Sequence, residues 1–340
     1  MGCLTIIPAV MDPLMPLNHE EKVYILTHVW ERPAAEADTE AKKFHFYFKR
    51  YDEIIRWRPS SVCRQLNHKN IAVIARKLLT DSKECCAKLL ESLLQSGHLG
   101  QDTLDTGLRY VINLLFCLGP SVIGPEWKPD ELLRDYLASV FLHSEIDENF
   151  RMPRSFNLCT IDEITDINIT WTEELNRHLE LSDDDGDVRV FHCVSILDLF
   201  RVSLAAQRLF PAGLIEETTT SLRLICPGED MKVRNWLEKE QAKYKYEPGF
   251  DASLRALHAR GRLGIAGRRI EGFDFWRNRL IMVKEVFDLR EPRNILHFWR
   301  DYRRPSQWWT FWIALTAFVL SLVACIEGAM QVYKAYHPTR

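Results

Sequence analysis

Two histidines, His178 and His192, bracket the run Asp183-Asp184-Asp185-Gly186. Imidazoles and carboxylates at this density are the material of a metal centre or an acid–base pair. The spacing favours neither. With Gly186 set on the invariant glycine of a calcium-binding loop, Asp183 and Asp185 take positions three and five. Leu181 then falls at position one and His192 at position twelve, where carboxylates are needed. Neither HExxH nor GxSxG occurs, nor a kinase signature. The segment reads as a solvated acidic turn, with His192 a core histidine closing an apolar strand. An enzyme site in the Asp183–His192 region is the alternative.

A second group joins Gly261, Gly264 and Gly267 to Arg260, Arg262, Arg268 and Arg269. Glycine amides and guanidiniums together can cradle a phosphate, but the spacing is GxxGxxG and no apolar strand leads into it. A flexible basic loop is expected, and lipid headgroups suit it better than nucleotides. The nine cysteines include no CxxC pair and suit a reducing compartment. No catalytic residue, metal ligand or cofactor is assigned on these grounds.

The elements that would position such groups are mostly helical. Asn18, with Glu20 and Glu21 after it, caps a helix that places Val23, Leu26 and Trp30 on one face. Glu31 to Ala41 reads as a polar linker. Helices are expected at Asn70–Leu79, at Ser82–Gln95 up to Gly97, across Leu104–Leu118, and from Pro129 with Leu132, Leu133, Tyr136, Leu137, Val140 and Phe141 as its stripe. Ile167–Ile169 and Val188–His192 alternate like short strands, and Thr170-x-x-Glu173 matches a capping box opening a helix through Leu179. Further helices are expected over Ser195–Leu209, between Pro211 and Pro227, over Glu229–Ala242, and over Phe273–Leu289 with Trp276, Leu280, Val283 and Phe287 inward.

The last stretch is different in kind. No charged side chain stands between Arg304 and Glu327, and Trp308 to Ile326 is a continuous apolar run. As a helix that run covers roughly 28 Å, close to the roughly 30 Å of a bilayer's hydrocarbon core. Trp308, Trp309, Phe311 and Trp312 crowd one end, as aromatic residues do at headgroup level; Leu315, Phe318, Leu322 and Ile326 continue the anchor. At about 100° per residue, Thr310, Ala314, Ala317, Ser321, Ala324 and Gly328 share a face of roughly 80°, narrow enough for a second helix to approach. Glu327 is expected to snorkel to the interface. The formal net charge of −3 hides an asymmetry. Arg255 to Arg304 holds twelve Arg and one Lys against six acids, a net of +7. Arg268, Arg269, Arg300, Arg303 and Arg304 are expected to face anionic lipid on the cytosolic side. Nucleic acid is not expected, because acids interrupt the cations.

The string Ile169-Thr-Trp-Thr-Glu-Glu-Leu175, then His178-Leu179, the three aspartates and Val190-Phe191-His192 form an ordered series. Leu209-Phe-Pro-Ala-Gly-Leu-Ile-Glu-Glu-Thr218, Phe275-Trp276 with Arg279-Leu280, Asp301-Tyr-Arg-Arg304 through Trp312, and Ile326-Glu-Gly328 with Gln331–His337 continue it. The series resembles uncharacterised single-pass membrane proteins of filamentous fungi. The resemblance implies a cytosolic helical domain on one membrane helix and carries no catalytic residues.

The fold class expected is therefore mostly α, a multi-helix cytosolic domain with a small β component and one C-terminal transmembrane helix. Its parts are an N-terminal helix and linker (1–41), a helical region (42–150), an α-rich region with short strands and a basic juxtamembrane segment (151–304), the membrane helix (305–333) and a short tail (334–340). The expected protein is a tail-anchored scaffold or signalling adaptor, inserted after synthesis. Its partners are the bilayer and, through the small-residue face, a second copy or another membrane helix. An effector acting through clustered anchors is the further alternative.

Overall fold

The computed structural model describes residues 16–56, 68–80, 85–95, 101–119, 127–144, 148–165, 167–243, 254, 257, 263–290 and 305–336. Helices dominate. α1 (His19–His28) opens on a reciprocal capping box. The Asn18 side chain accepts the Glu21 amide at 2.9 Å, and the Glu21 carboxylate accepts the Asn18 amide at 2.8 Å. Leu26 from this helix and Trp30, two residues past its end, are fully buried. The stretch read as a linker is instead largely helical: α2 runs Ala34–Lys43 and packs on α1. Pro33 presets its start, and Ala37 and Ala41, one turn apart, give it a buried face despite the acidic composition.

α3 (His45–Arg56), α4 (His68–Thr80), α5 (Cys86–Gln95), α6 (Gln101–Phe116) and α7 (Leu133–Val140) follow. α5 is described from Cys86, and the expected start at Ser82 and the closing Gly97 lie outside the described residues. α7 begins after the Pro129–Glu131 turn and not within it. That turn instead serves the first turn of α5. The carbonyls of Glu131 and Pro129 accept the amides of Cys86 and Ala87 at 3.1 and 2.8 Å.

After α8 (Leu158–Ile164), capped by Asn157, comes a three-stranded sheet. β1 (Asn168–Thr172) pairs parallel with β3 (Asp187–Phe191), and β2 (Glu180–Leu181) pairs antiparallel on the other side of β3. The helix expected from Thr170 to Leu179 does not form. Thr170 pairs with Arg189 in the sheet, Thr172 Oγ1 takes the Glu174 amide at 3.1 Å, and only a 3-10 turn at Leu175–Arg177 remains. Sheet pairing buries Ile169, Val188 and Val190, which outweighs a local cap.

The expected Ser195–Leu209 helix is two helices, α9 (Val194–Val202) and α10 (Leu204–Leu209). Ser203 breaks them apart: its hydroxyl donates to the Trp30 carbonyl at 2.8 Å and accepts the Ala206 amide at 3.3 Å. α11 (Leu214–Ile225) follows a Gly213 with φ of 90°, a left-handed value that a side chain would strain. α12 (Met231–Lys243) and α13 (Arg277–Leu289) complete the body. Residues 273–276, expected inside the last of these, precede it, yet Trp276, Leu280, Val283 and Phe287 are buried as the stripe requires. One apolar cluster runs from Leu17 to Phe287. α14 (Pro305–Tyr336) is the longest helix described, at 32 residues.

Candidate functional site

The anchor candidate is α14. Trp309–Tyr333, 25 residues, is long and apolar enough to cross a membrane, and none of its most apolar window is buried by the rest of the chain. At about 1.5 Å per residue it spans roughly 38 Å, more than a hydrocarbon core. A core helix of a soluble protein would be covered. Here Phe318 is 65 % exposed and Ile326 53 %. Trp308, Trp309, Phe311, Trp312, Leu315, Phe318, Leu322 and Ile326 all lie on this helix. Thr310, Ala314, Ala317, Ser321, Ala324 and Gly328 are exposed on it too, as is Glu327.

Of the basic residues, Arg300, Arg303 and Arg304 lie outside the described residues. Arg269 is exposed and pairs with Glu271 at 2.7 Å, while Arg268 is half-buried with Nη1 donating to the Met152 carbonyl at 3.2 Å.

The His178–His192 region separates into two environments. Asp183, Asp184 and Asp185 are exposed, and Asp184 closes its own turn by accepting the Ser182 hydroxyl at 2.6 Å and the Gly186 amide at 3.1 Å. Both imidazoles are sealed in the core. His178 Nδ1 accepts the Phe191 amide at 3.2 Å, so the ring proton sits on Nε2 and is donated to Ser221 Oγ at 2.7 Å. Ser221 passes its own proton to the Thr218 carbonyl at 2.8 Å. This polarity is the reverse of an activated serine, whose hydroxyl must donate to the imidazole. Arg279 Nη1 bridges the Asn176 and His178 carbonyls at 2.7 Å each and lies 5.3 Å from the Trp276 ring. His192 packs edge-on against Phe46 at 5.5 Å and Trp171 at 6.3 Å. Among the described residues, no three His, Cys, Asp or Glu side chains are grouped to hold a metal ion.

Burial holds both histidines neutral, with pKa values pushed down to about 3; Arg279 adds to this at His178 and Arg50 at His192. The unfolded chain takes up these protons below about pH 6.5, whereas the folded chain resists until far lower pH. Stability should therefore fall as pH drops through that window. Two such groups cost ~2–3 kcal/mol between pH 7 and 5.5. Glu173 and Glu217, raised by burial, act in the opposite sense at the more acid end. Thermal unfolding in pH steps checks this, and His192→Phe should halve the slope. A flat profile from pH 7 to 5.5 would contradict it.

Three groups central to the packing had no local signature in the chain. Glu217 accepts the amides of Asp274, Phe275 and Trp276 at 2.8, 2.9 and 2.8 Å, tying α11 to the start of α13. Thr218 beside it accepts the Trp276 indole N–H at 2.8 Å. Arg50, 4 % exposed, lies 3.2 Å from the Glu173 carboxylate. Separations of 57 to 59 residues for the Glu217 contacts put them beyond any spacing rule. The chain matches no known protein family, no curated protein and no solved structure.

Proposed function

We propose that this is a single-pass membrane protein whose helical body serves as a scaffold or signalling adaptor at a cytosolic membrane face. The observation that carries this reading is the bare apolar helix Trp309–Tyr333, attached to a body that buries its own core from Leu17 to Phe287. The sealed imidazoles and the reversed His178–Ser221 polarity favour binding over chemistry in the Asp183–His192 region. The bilayer is the partner this reading requires, and the basic residues before the anchor orient the body to the cytosol.

An internal acceptor tests the orientation. Asn168-Ile169-Thr170 is a glycosylation sequon, and Asn168 is exposed at the start of β1. In a membrane-integrated translation, Asn168 should remain unmodified while a sequon appended after Arg340 receives a glycan. A glycan on Asn168 would reverse the topology and end the cytosolic reading.

A further inference from the structure

A cleft of about 340 Å³ opens where three separate elements meet. Arg154 reaches it from the segment before α8, Arg223 from the last turn of α11, and Arg268 from the 3-10 turn at Ala266–Arg268. The volume lies in the range of small-ligand sites. Backbone pairing sets Arg268 against the segment that leads into Arg154: the Met152 amide donates to the Arg268 carbonyl at 2.8 Å and the Ile270 amide to the Phe150 carbonyl at 3.0 Å. Arg151 and Arg269 bridge between them. That short ladder fixes residues 150–152 against 268–270, and Arg154, two positions on, lines the same cleft as Arg268.

Two acids, Glu229 and Asp230, also line the cleft. Asp230 serves α12 by accepting the Lys232 amide at 2.9 Å. Three guanidiniums and two carboxylates line the cleft, an excess of one positive side chain. Arg154 is exposed and makes no ion pair among the described residues. Leu263 and Met231 supply apolar lining beside the charges.

We propose that this cleft binds a phosphate-bearing small ligand, with Arg154, Arg223 and Arg268 gripping the phosphate and Leu263 and Met231 covering the group it is attached to. Guanidinium is the side chain suited to this, because its planar fork presents paired donors to phosphate oxygens. The phosphate could belong to a soluble compound or to a lipid headgroup, and the cleft is built from the body alone, without the anchor.

The test uses the full-length chain in nanodiscs. Pyrophosphate, titrated with phosphatidylcholine discs, probes the soluble source; discs with phosphatidic acid probe the lipid source. Binding in either arm is expected to raise the unfolding temperature of the body. Arg154→Gln should weaken it about tenfold, the loss expected for one charged hydrogen-bonding partner. Arg154 is exposed, so this variant leaves folding intact. Arg201→Gln, exposed on α9 and not among the residues that line the cleft, should change nothing. Saturation by pyrophosphate identifies a soluble ligand, and a response confined to phosphatidic acid identifies a lipid. No response in either arm, or equal loss from Arg154→Gln and Arg201→Gln, would overturn the proposal.

Discussion

Replacing Glu217 by alanine should lower the stability of the folded body by ~3–4 kcal/mol. Its carboxylate holds three amides, at Asp274, Phe275 and Trp276, that have left the helical ladder before α13 begins. Phe275 and Trp276 are buried, so water cannot replace the lost acceptor without opening the core. An unsatisfied buried donor costs ~1–3 kcal/mol, and the loss exceeds the ordinary gain of making the bond. Glutamine at this position keeps one acceptor oxygen but turns an N–H group towards an N–H group. It should fall between, at ~1–2 kcal/mol. Burial raises the Glu217 pKa even against its three amides, so the cost of desolvating the charge exceeds what the hydrogen bonds return to it. For a body of this size the alanine variant should unfold about 10 °C lower. Tryptophan fluorescence during heating of the full chain in mild detergent would read it, and an unchanged midpoint would show the cradle to be incidental.

Ending the chain at Arg304 should release it from membranes altogether. The span from Trp309 to Tyr333 has no cover from the body, and in the proposed reading it supplies the affinity for lipid. Alkaline carbonate extraction should leave the complete chain in the pellet and the truncated one in the supernatant. A finer test puts charge into the middle of the helix. One arginine at the centre costs ~2.5–3.5 kcal/mol on insertion scales, so Phe318→Arg with Leu322→Arg should cost ~5–7 kcal/mol and abolish integration. Leu315→Ile, conserving volume and polarity, should leave it unchanged. Truncated protein that still resists carbonate would place the membrane affinity elsewhere in the chain.

Local features were legible in the sequence where both partners lay within one helical turn. The Asn18–Glu21 box and the Trp276, Leu280, Val283, Phe287 stripe are of that kind. The apolar run of α14 was plainer still, because composition alone marks it. Misreadings arose where a local preference met a distant partner. Thr170-x-x-Glu173 had the residues of a cap, but β3 claimed the backbone of Thr170 first. The Glu31–Ala41 stretch looked polar because its acids face water, while Ala37 and Ala41, small and easily overlooked, formed the buried side. At the candidate sites the limit was sharper. Nothing near His178 announces Ser221, 43 residues later, and nothing near Arg154 announces Arg223 or Arg268.

The break at Ser203 bears on how the protein is made. The Ser203 hydroxyl reaches the Trp30 carbonyl, Arg32 Nη1 reaches the Val202 carbonyl at 2.6 Å, and Arg208 pairs with Glu31 at 2.6 Å. The corner between α1 and α2 is therefore completed by residues 170 to 177 positions further along. At ~5–20 residues per second, a ribosome takes on the order of 10–35 s to supply them. Through that interval Trp30 has Tyr47, 17 residues on, but lacks Phe200, and the corner between α1 and α2 stays open. The α1–α2 corner is thus sealed only after the break between α9 and α10 has been made, which makes it a natural point of contact for a chaperone.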